Sequence, residues 1–244
     1  MTVCVVMPTV PRRSVSAVEV VRRLLPQVDH MLVHLNGYDE VPAWARDARI
    51  RAIINPAGTG PIVRLTVVPE VDHVLLVDDD LAYPADYVAR SVTALNRLGP
   101  GNVVCYHAVY WPKGAEPTWA QRQLIMYSKR IGNDVRVPML GAGTAGFHQR
   151  DLLSIDRFAP KLFEYANDIW ASAACARKGF RVVRIPTPEN WLIALPAAFD
   201  AEALYRVAGR DANRQRNLAM ATAHKMGSWD ISLLEGYEAE SKKT

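Results

Sequence analysis

Three carboxylates stand side by side at Asp78, Asp79 and Asp80, directly behind the apolar run HVLLV (73–77). Adjacent carboxylates repel one another unless a cation or protons offset their charge. On an extended backbone side chains alternate, so Asp78 and Asp80 point to one side and Asp79 to the other. Hard oxygen ligands in that arrangement suit Mg²⁺ or Mn²⁺, which commonly bind through one or two carboxylates plus substrate phosphates. A diphosphate would complete the shell, and Arg12, Arg13 or Arg64 could neutralise its remaining charge. The competing reading is a solvated acidic turn. Short acidic turns are common, but three Asp straight after VLLV are not.

Something rigid must deliver those carboxylates. TVCVVMP (2–8) is a continuous β-branched run of the kind that suits a strand covered on both faces, and HMLVHLNG (30–37) and IRAIINP (50–56) are further strands closed by turn residues. SAVEVVRRLL (16–25) reads as a helix with Ser16 and Glu19 in capping-box spacing, and PIVRLTVV (61–68) as a short helix. Pro84 is placed to open the next helix, where Val88, Val92 and Leu95 share a face and Gly99-Pro100 stop the chain. This order predicts an α/β sandwich with a mainly parallel sheet, whose ligands gather at the carboxyl ends of the strands. Pro8-Thr9, Asn36-Gly37, Asn55-Pro56 and Asp78 to Asp80 would all lie on that edge.

The second half is less regular. NVVCYHAVYW (102–111) reads as a strand, and residues 112–130 have no clean period, which suits a flexible or acceptor-facing loop. VRVPMLGAGTAGFH (135–148) is Gly-rich between two apolar runs. DIWASAACARKG (168–179) reads as a helix closed by Gly179, RVVRIP (181–186) as a strand, and 201–226 as helical, with a fraying tail.

The 244 residues, half of them apolar, suffice for one large domain, and no repeat or linker divides them. A net charge of +4 fits an anionic ligand but lacks the clustered Lys and Arg of a nucleic-acid footprint. Cys4, Cys105 and Cys175 match no zinc module and read as buried free thiols in a reducing compartment. With no basic leader and no apolar run of about 20 residues, a soluble cytoplasmic protein without a membrane partner is expected.

VLLVDDDLAYPADYV resembles the Asp-x-Asp region of GT-A-fold glycosyltransferases, especially the family 2 type. VVMPTVPR resembles the first strand and donor loop of those enzymes, and NPAGTGPIVRL the segment leading to the Asp-x-Asp strand. LGAGTAGFHQRDLL followed by YANDIWASAACARKGFRVVRIP is similar to their Gly-containing acceptor loop and the helix whose first acid acts at the reaction centre. The resemblance covers roughly residues 1–195 and implies a donor-binding half (1–111), an acceptor and catalytic half (112–195), and a C-terminal helical extension (196–244) on the same domain.

It also implies roles. Asp78 would meet the ribose or base side of the nucleotide, Asp79 would support it, and Asp80 would hold a Mn²⁺ or Mg²⁺ bound to the diphosphate of a nucleotide-sugar, a UDP-sugar for preference. Pro8, Thr9 and Asn55 would line the nucleotide pocket, or be ordinary turn residues; Arg64 would meet the donor, or be a surface Arg. Gly141, Gly143 and Gly146 would let backbone approach sugar or acceptor, with Trp170 on the acceptor side. Asp168 would be the general base, because a hydroxyl is a poor nucleophile until a positioned base takes its proton; helix capping is its competing role. Asn167 stands where the pattern usually has a first acid, and His224 reads as an ordinary histidine rather than a metal ligand. Inversion is favoured, with retention open. The small size resembles bacterial and bacteriophage enzymes that glycosylate DNA bases, proteins or cell-surface glycans, which leaves a DNA or protein hydroxyl as the expected acceptor. The rivals are a nucleotidyltransferase, which would show a Gly-rich signature after the first strand, a phosphatase with Asp-x-Asp on the first strand, and a non-catalytic nucleotide-sugar-binding module.

Overall fold

The computed structural model describes residues 1–156, 159–199, 210–225, 227 and 229–237. The first half lays down β1 (Val3–Thr9), α1 (Ser14–Leu24), β2 (His30–Asn36), β3 (Ile50–Asn55), β4 (His73–Val77), a two-residue β5 (Leu81–Ala82) and α2 (Tyr87–Leu98). The second half contributes β6 (Asn102–Cys105), β7 (Ala108–Tyr110), β8 (Gln123–Ile125), β9 (Val135–Val137), β10 (Met139–Leu140), β11 (Thr144–His148), α3 (Gln149–Ser154), α4 (Asn167–Arg177), β12 (Arg181–Arg184), β13 (Ile193–Ala194) and α5 (Arg210–Lys225).

Eight strands form one sheet in the order β3-β2-β1-β4-β11-β6-β12-β9. Six run in one direction, and β11 and β9 oppose them. This is a mixed, mainly parallel α/β sheet of the Rossmann-like kind that the strand–helix alternation predicts. The period-2 geometry of β1 explains its unbroken apolar run. Cys4 and Val6 enter one core layer with α4, while Val3, Val5 and Met7 enter the other with α1 and α2. Every residue of β1 and β4 is buried, so the sheet centre is fixed from both sides.

Several local expectations change. α1 begins at Ser14 behind a 3₁₀ turn at Pro11–Arg13; Ser16 Oγ donates to Arg13 O and Glu19 pairs with Arg22 and Arg23, so the pair forms no capping box. Residues 61–68 supply only a 3₁₀ turn, Pro61–Leu65. Pro84 lies ahead of α2, which starts at Tyr87. The 102–111 run is cut at Tyr106-His107 into β6 and β7, and β7 leaves the large sheet to form a second one, β10-β7-β8. Part of the expected 201–226 helix lies outside the described residues. Gly179, at φ 71°, closes α4 as expected.

Candidate functional site

Because β1, β2, β3 and β4 are parallel and in register, their carboxyl ends reach one edge together. The unbroken apolar run of β4 ends at Val77, and the chain turns at once. Asp78 N–H donates to Tyr83 Oη (2.8 Å), and the Tyr83 hydroxyl donates to Gly143 O (2.7 Å). Tyr83 is fully buried, so this phenol pins the aspartate turn to the 141–143 loop. Leu195 N–H donates to Asp80 O (2.7 Å), fixing the far side of the turn beside the β5–β13 pair.

Each carboxylate has a cation. Arg64 Nη2 meets Asp78 Oδ1 at 2.7 Å. One Arg13 nitrogen bridges Asp79 Oδ1 (2.8 Å) and Asp80 Oδ2 (2.7 Å). Thr9 Oγ1 donates to Asp79 Oδ2 (2.7 Å), which completes that residue's bonding. Burial, with repulsion from Asp78 and Asp79, pushes Asp80 up to about 7 despite Arg13. Burial likewise raises Asp79, against the pull of Arg13 and Thr9. Burial alone would lower both arginines; the pairing carboxylates more than offset it and hold them above their usual range.

The donor set fits a hard divalent cation. Asp78 Oδ2 and Asp80 Oδ1 have no protein partner among the described residues, whereas both oxygens of Asp79 are engaged. Among the described residues no three His, Cys, Asp or Glu side chains form a ready-made cage. Two carboxylate oxygens completed by phosphate and water is the usual Mg²⁺ mode.

Asp168 sits in the first turn of α4, and its Oδ1 accepts from Ala142 N–H and Asn167 Nδ2, both at 2.9 Å. Asn167, standing where an acid was expected, therefore orients Asp168. Burial raises Asp168 to about 6; the Ala142 N–H opposes this, Asp78 adds to it, and Arg64 and Arg216 oppose it. The base candidate and the aspartate cluster thus share one electrostatic environment.

Gly143 is packed on Asp78 so closely that a Cβ would lie 1.7 Å from Oδ2. A Cβ on Gly141 would meet His107 Cδ2 at 2.7 Å, and one on Gly146 would press on Leu75 within the sheet. Pro8 and Thr9 end β1, both buried, and Asn55 Nδ2 donates to Asn36 Oδ1 (2.9 Å) across the ends of β3 and β2. Arg64 is buried rather than on the surface. Trp170 lies in the core against Phe163, its indole N–H donating to Asp156 O. The helical period of DIWASAAC turns Trp170 away from the side that carries Asp168. His224 is exposed near the end of α5.

Sequence reasoning missed two residues. Tyr83, five places beyond Asp78, gave no signal beyond a lone aromatic in LAYP. His107, at the cut between β6 and β7, backs Gly141 with an enclosed, unpartnered Nδ1; burial pulls it down to about 4, with Asp78 opposing and Arg184 and Arg122 assisting.

Neither a protein-family model nor a curated protein matches the chain. Solved structures do match. One is a Desulfovibrio desulfuricans G20 protein provisionally named a nucleotide-diphospho-sugar transferase, with a TM-score of 0.39 and 10% identity over 91% of this chain and 99% of that one. No helix among the described residues is long and apolar enough to cross a membrane.

Proposed function

We propose that the protein is a glycosyltransferase that moves a sugar from a nucleoside-diphosphate sugar to an acceptor hydroxyl, with residues 1–195 forming the transferase domain and 196–244 an extension of it. The observation that carries this reading is the pairing of Asp78 and Asp80, each with an unpartnered carboxylate oxygen, with a raised, hydrogen-bonded Asp168 in the same charge environment. Thr9, Asn55 and the Asp78 end of the cluster would receive the nucleotide, a UDP-sugar for preference. Asp78 and Asp80 would hold Mn²⁺ or Mg²⁺, which when bound offsets the charge of the departing diphosphate. Arg13 keeps Asp79 and Asp80 from springing apart, and Arg64 fixes Asp78 while adding positive charge beside the phosphates. Asp168 takes the acceptor proton as the acceptor oxygen bonds to the anomeric carbon; the bond from that carbon to the diphosphate oxygen breaks, and its electron pair leaves with the nucleoside diphosphate. Attack from the side opposite the leaving group gives inversion. A hydroxyl of DNA or of a protein is the acceptor we favour.

Calorimetric titration of UDP, GDP, ADP, TDP and CMP, with and without Mn²⁺, tests the reading. Metal-dependent binding of one nucleoside diphosphate, lost in Asp80→Ala, is expected. A folded protein that binds none of them would reduce the site to a scaffold.

A further inference from the structure

The cut between β6 and β7 leaves one side chain at the sheet edge, His107, without a part in the transfer so far. β4, β11 and β6 are neighbours in the sheet, with Val77 opposite Thr144 and Cys105 opposite Ala145. Asp78 and His107 follow the two strands that flank β11, so their backbones stand two strand spacings apart, about 10 Å. The 141–143 loop spans that gap. Gly143 packs on Asp78 Oδ2, Ala142 N–H holds Asp168 Oδ1 at 2.9 Å, and Gly141 packs on the His107 ring.

The backbone of His107 is fixed on both sides. Its N–H donates to Thr144 Oγ1 (2.9 Å), its carbonyl accepts from Gly141 N–H (2.8 Å), and Thr144 Oγ1 donates in turn to Gly141 O (3.1 Å). The half-buried imidazole rests on Gly141 and lies beside the Tyr127 ring, 5.9 Å between centroids. Nδ1 is enclosed without a partner, and Nε2 has no protein partner among the described residues. An enclosed N–H without an acceptor is rarer and costlier than a bare lone pair, so the proton belongs on Nε2. Burial pulls the ring down to about 4, with Asp78 opposing and Arg184 and Arg122 assisting, so the ring is neutral at pH 7.

We propose that His107 is a specificity residue for the donor's sugar, its Nε2–H donating to a hydroxyl oxygen of the transferred ring, an inference that rests on the transferase reading above. Along the loop the order is Asp78, Asp168, His107. The diphosphate belongs to the aspartate end, so a sugar attached to it and lying along the loop brings its far rim to His107. Asp168 reaches Ala142 from α4, which leaves the sheet edge to the sugar and the α4 side to the acceptor. A neutral donor suits an uncharged hydroxyl, whereas a protonated ring would draw the diphosphate toward itself. A site that hydrogen-bonds a substrate hydroxyl rejects analogues that lack it, which an apolar wall does not.

The parent protein gives the first reading. Imidazole nitrogen shifts, with the His107 signals assigned by their loss in His107→Gln, should show a neutral ring with its proton on Nε2 at pH 7. A proton on Nδ1, or an imidazolium, overturns the proposal. Calorimetry with Mn²⁺ then compares UDP-glucose, UDP-N-acetylglucosamine, GDP-mannose, ADP-glucose and TDP-glucose, each with its free nucleoside diphosphate. In His107→Leu the best-bound nucleotide-sugar should lose about tenfold in affinity while the free diphosphate binds as before. His107→Gln, which sets an N–H close to the place of Nε2, should recover most of that loss. Equal losses for nucleotide-sugar and free diphosphate, or none for either, overturn the proposal, as does a His107→Gln no better than His107→Leu. A parent that binds a nucleoside diphosphate but none of these nucleotide-sugars removes the role of His107 and keeps the nucleotide site. A parent that binds no nucleotide removes the transferase reading and the role of His107 together.

Discussion

In the base role proposed for Asp168, stability and chemistry pull in opposite directions. Its folded pKa of about 6 lies above the unfolded value of roughly 3.9, so between those pH values the folded state holds a proton the unfolded chain has released. Stability contributed by this group is therefore greatest below that window and is lost as pH rises through about 6. A base must be deprotonated, so transfer should rise through the same window and level off above it. Asp168→Asn removes the charge while keeping an oxygen to accept from Ala142 N–H. We expect it to be more stable by about 1–2 kcal/mol at pH 7.5, read as a higher Tm, and to transfer about 10²–10⁴-fold more slowly. Transfer at the parental rate would remove Asp168 as the base. Gly143 allows a second test of the same neighbourhood. A methyl group there would occupy the space of Asp78 Oδ2, so Gly143→Ala must push that carboxylate off Arg64. Calorimetry should then show at least a tenfold loss of nucleotide affinity, with unchanged helical circular dichroism.

The elements that present these residues were legible to different degrees. β1 to β4 announced themselves as apolar runs ending in turn residues, and their parallel register follows from the helices and turns between them. The aspartate edge was therefore readable in the amino-acid pattern alone. What was not readable is how elements are tied together. Arg13 is one of a pair in PRR, and nothing local says that it, rather than Arg12, straps the start of α1 to the end of β4. Ser16 and Glu19 have capping-box spacing, but the 3₁₀ turn at Pro11–Arg13 begins the helix early and puts both inside it. The strap predicts an element-scale effect. Arg13, Asp79 and Asp80 expose only 13%, 7% and 17% of their side chains, so removing the arginine strands two poorly solvated charges. Arg13→Ala should cost about 2–4 kcal/mol in denaturant unfolding. Adding Asp79→Asn should return much of that loss, because one stranded charge goes with it. A strictly additive double variant would mean that Arg13 acts by packing rather than by charge.

Across the whole molecule, the site exists because the sheet brings together segments remote in sequence. β11 runs antiparallel between β4 and β6, which lays the 141–143 loop against Asp78 and lets Asp168 hang from Ala142 N–H. The Trp119 backbone meets Asn217 across 98 residues, a contact that no local pattern carries, and for this reason the stretch from 112 to 130 read as a flexible or acceptor-facing loop without a clean period. Trp170, two residues beyond Asp168, takes the opposite side of α4 and is buried in the core. A cluster of this kind, held by two arginines but still short of positive charge at Asp80, should be the part of the molecule that a ligand stabilises most. Anything that binds only the folded state raises stability by RT ln(1 + [L]/Kd), about 2.7 kcal/mol at one hundred times Kd. For a domain of this size that corresponds to a Tm increase of roughly 5–10 °C. We expect that increase with UDP and Mn²⁺ together and only a small one with either alone, because each supplies charge the other needs. In Asp80→Ala the joint increase should vanish while the unliganded Tm holds or rises, since burial makes the ionised Asp80 costly to the fold. A joint increase that survives in Asp80→Ala would place the cation elsewhere.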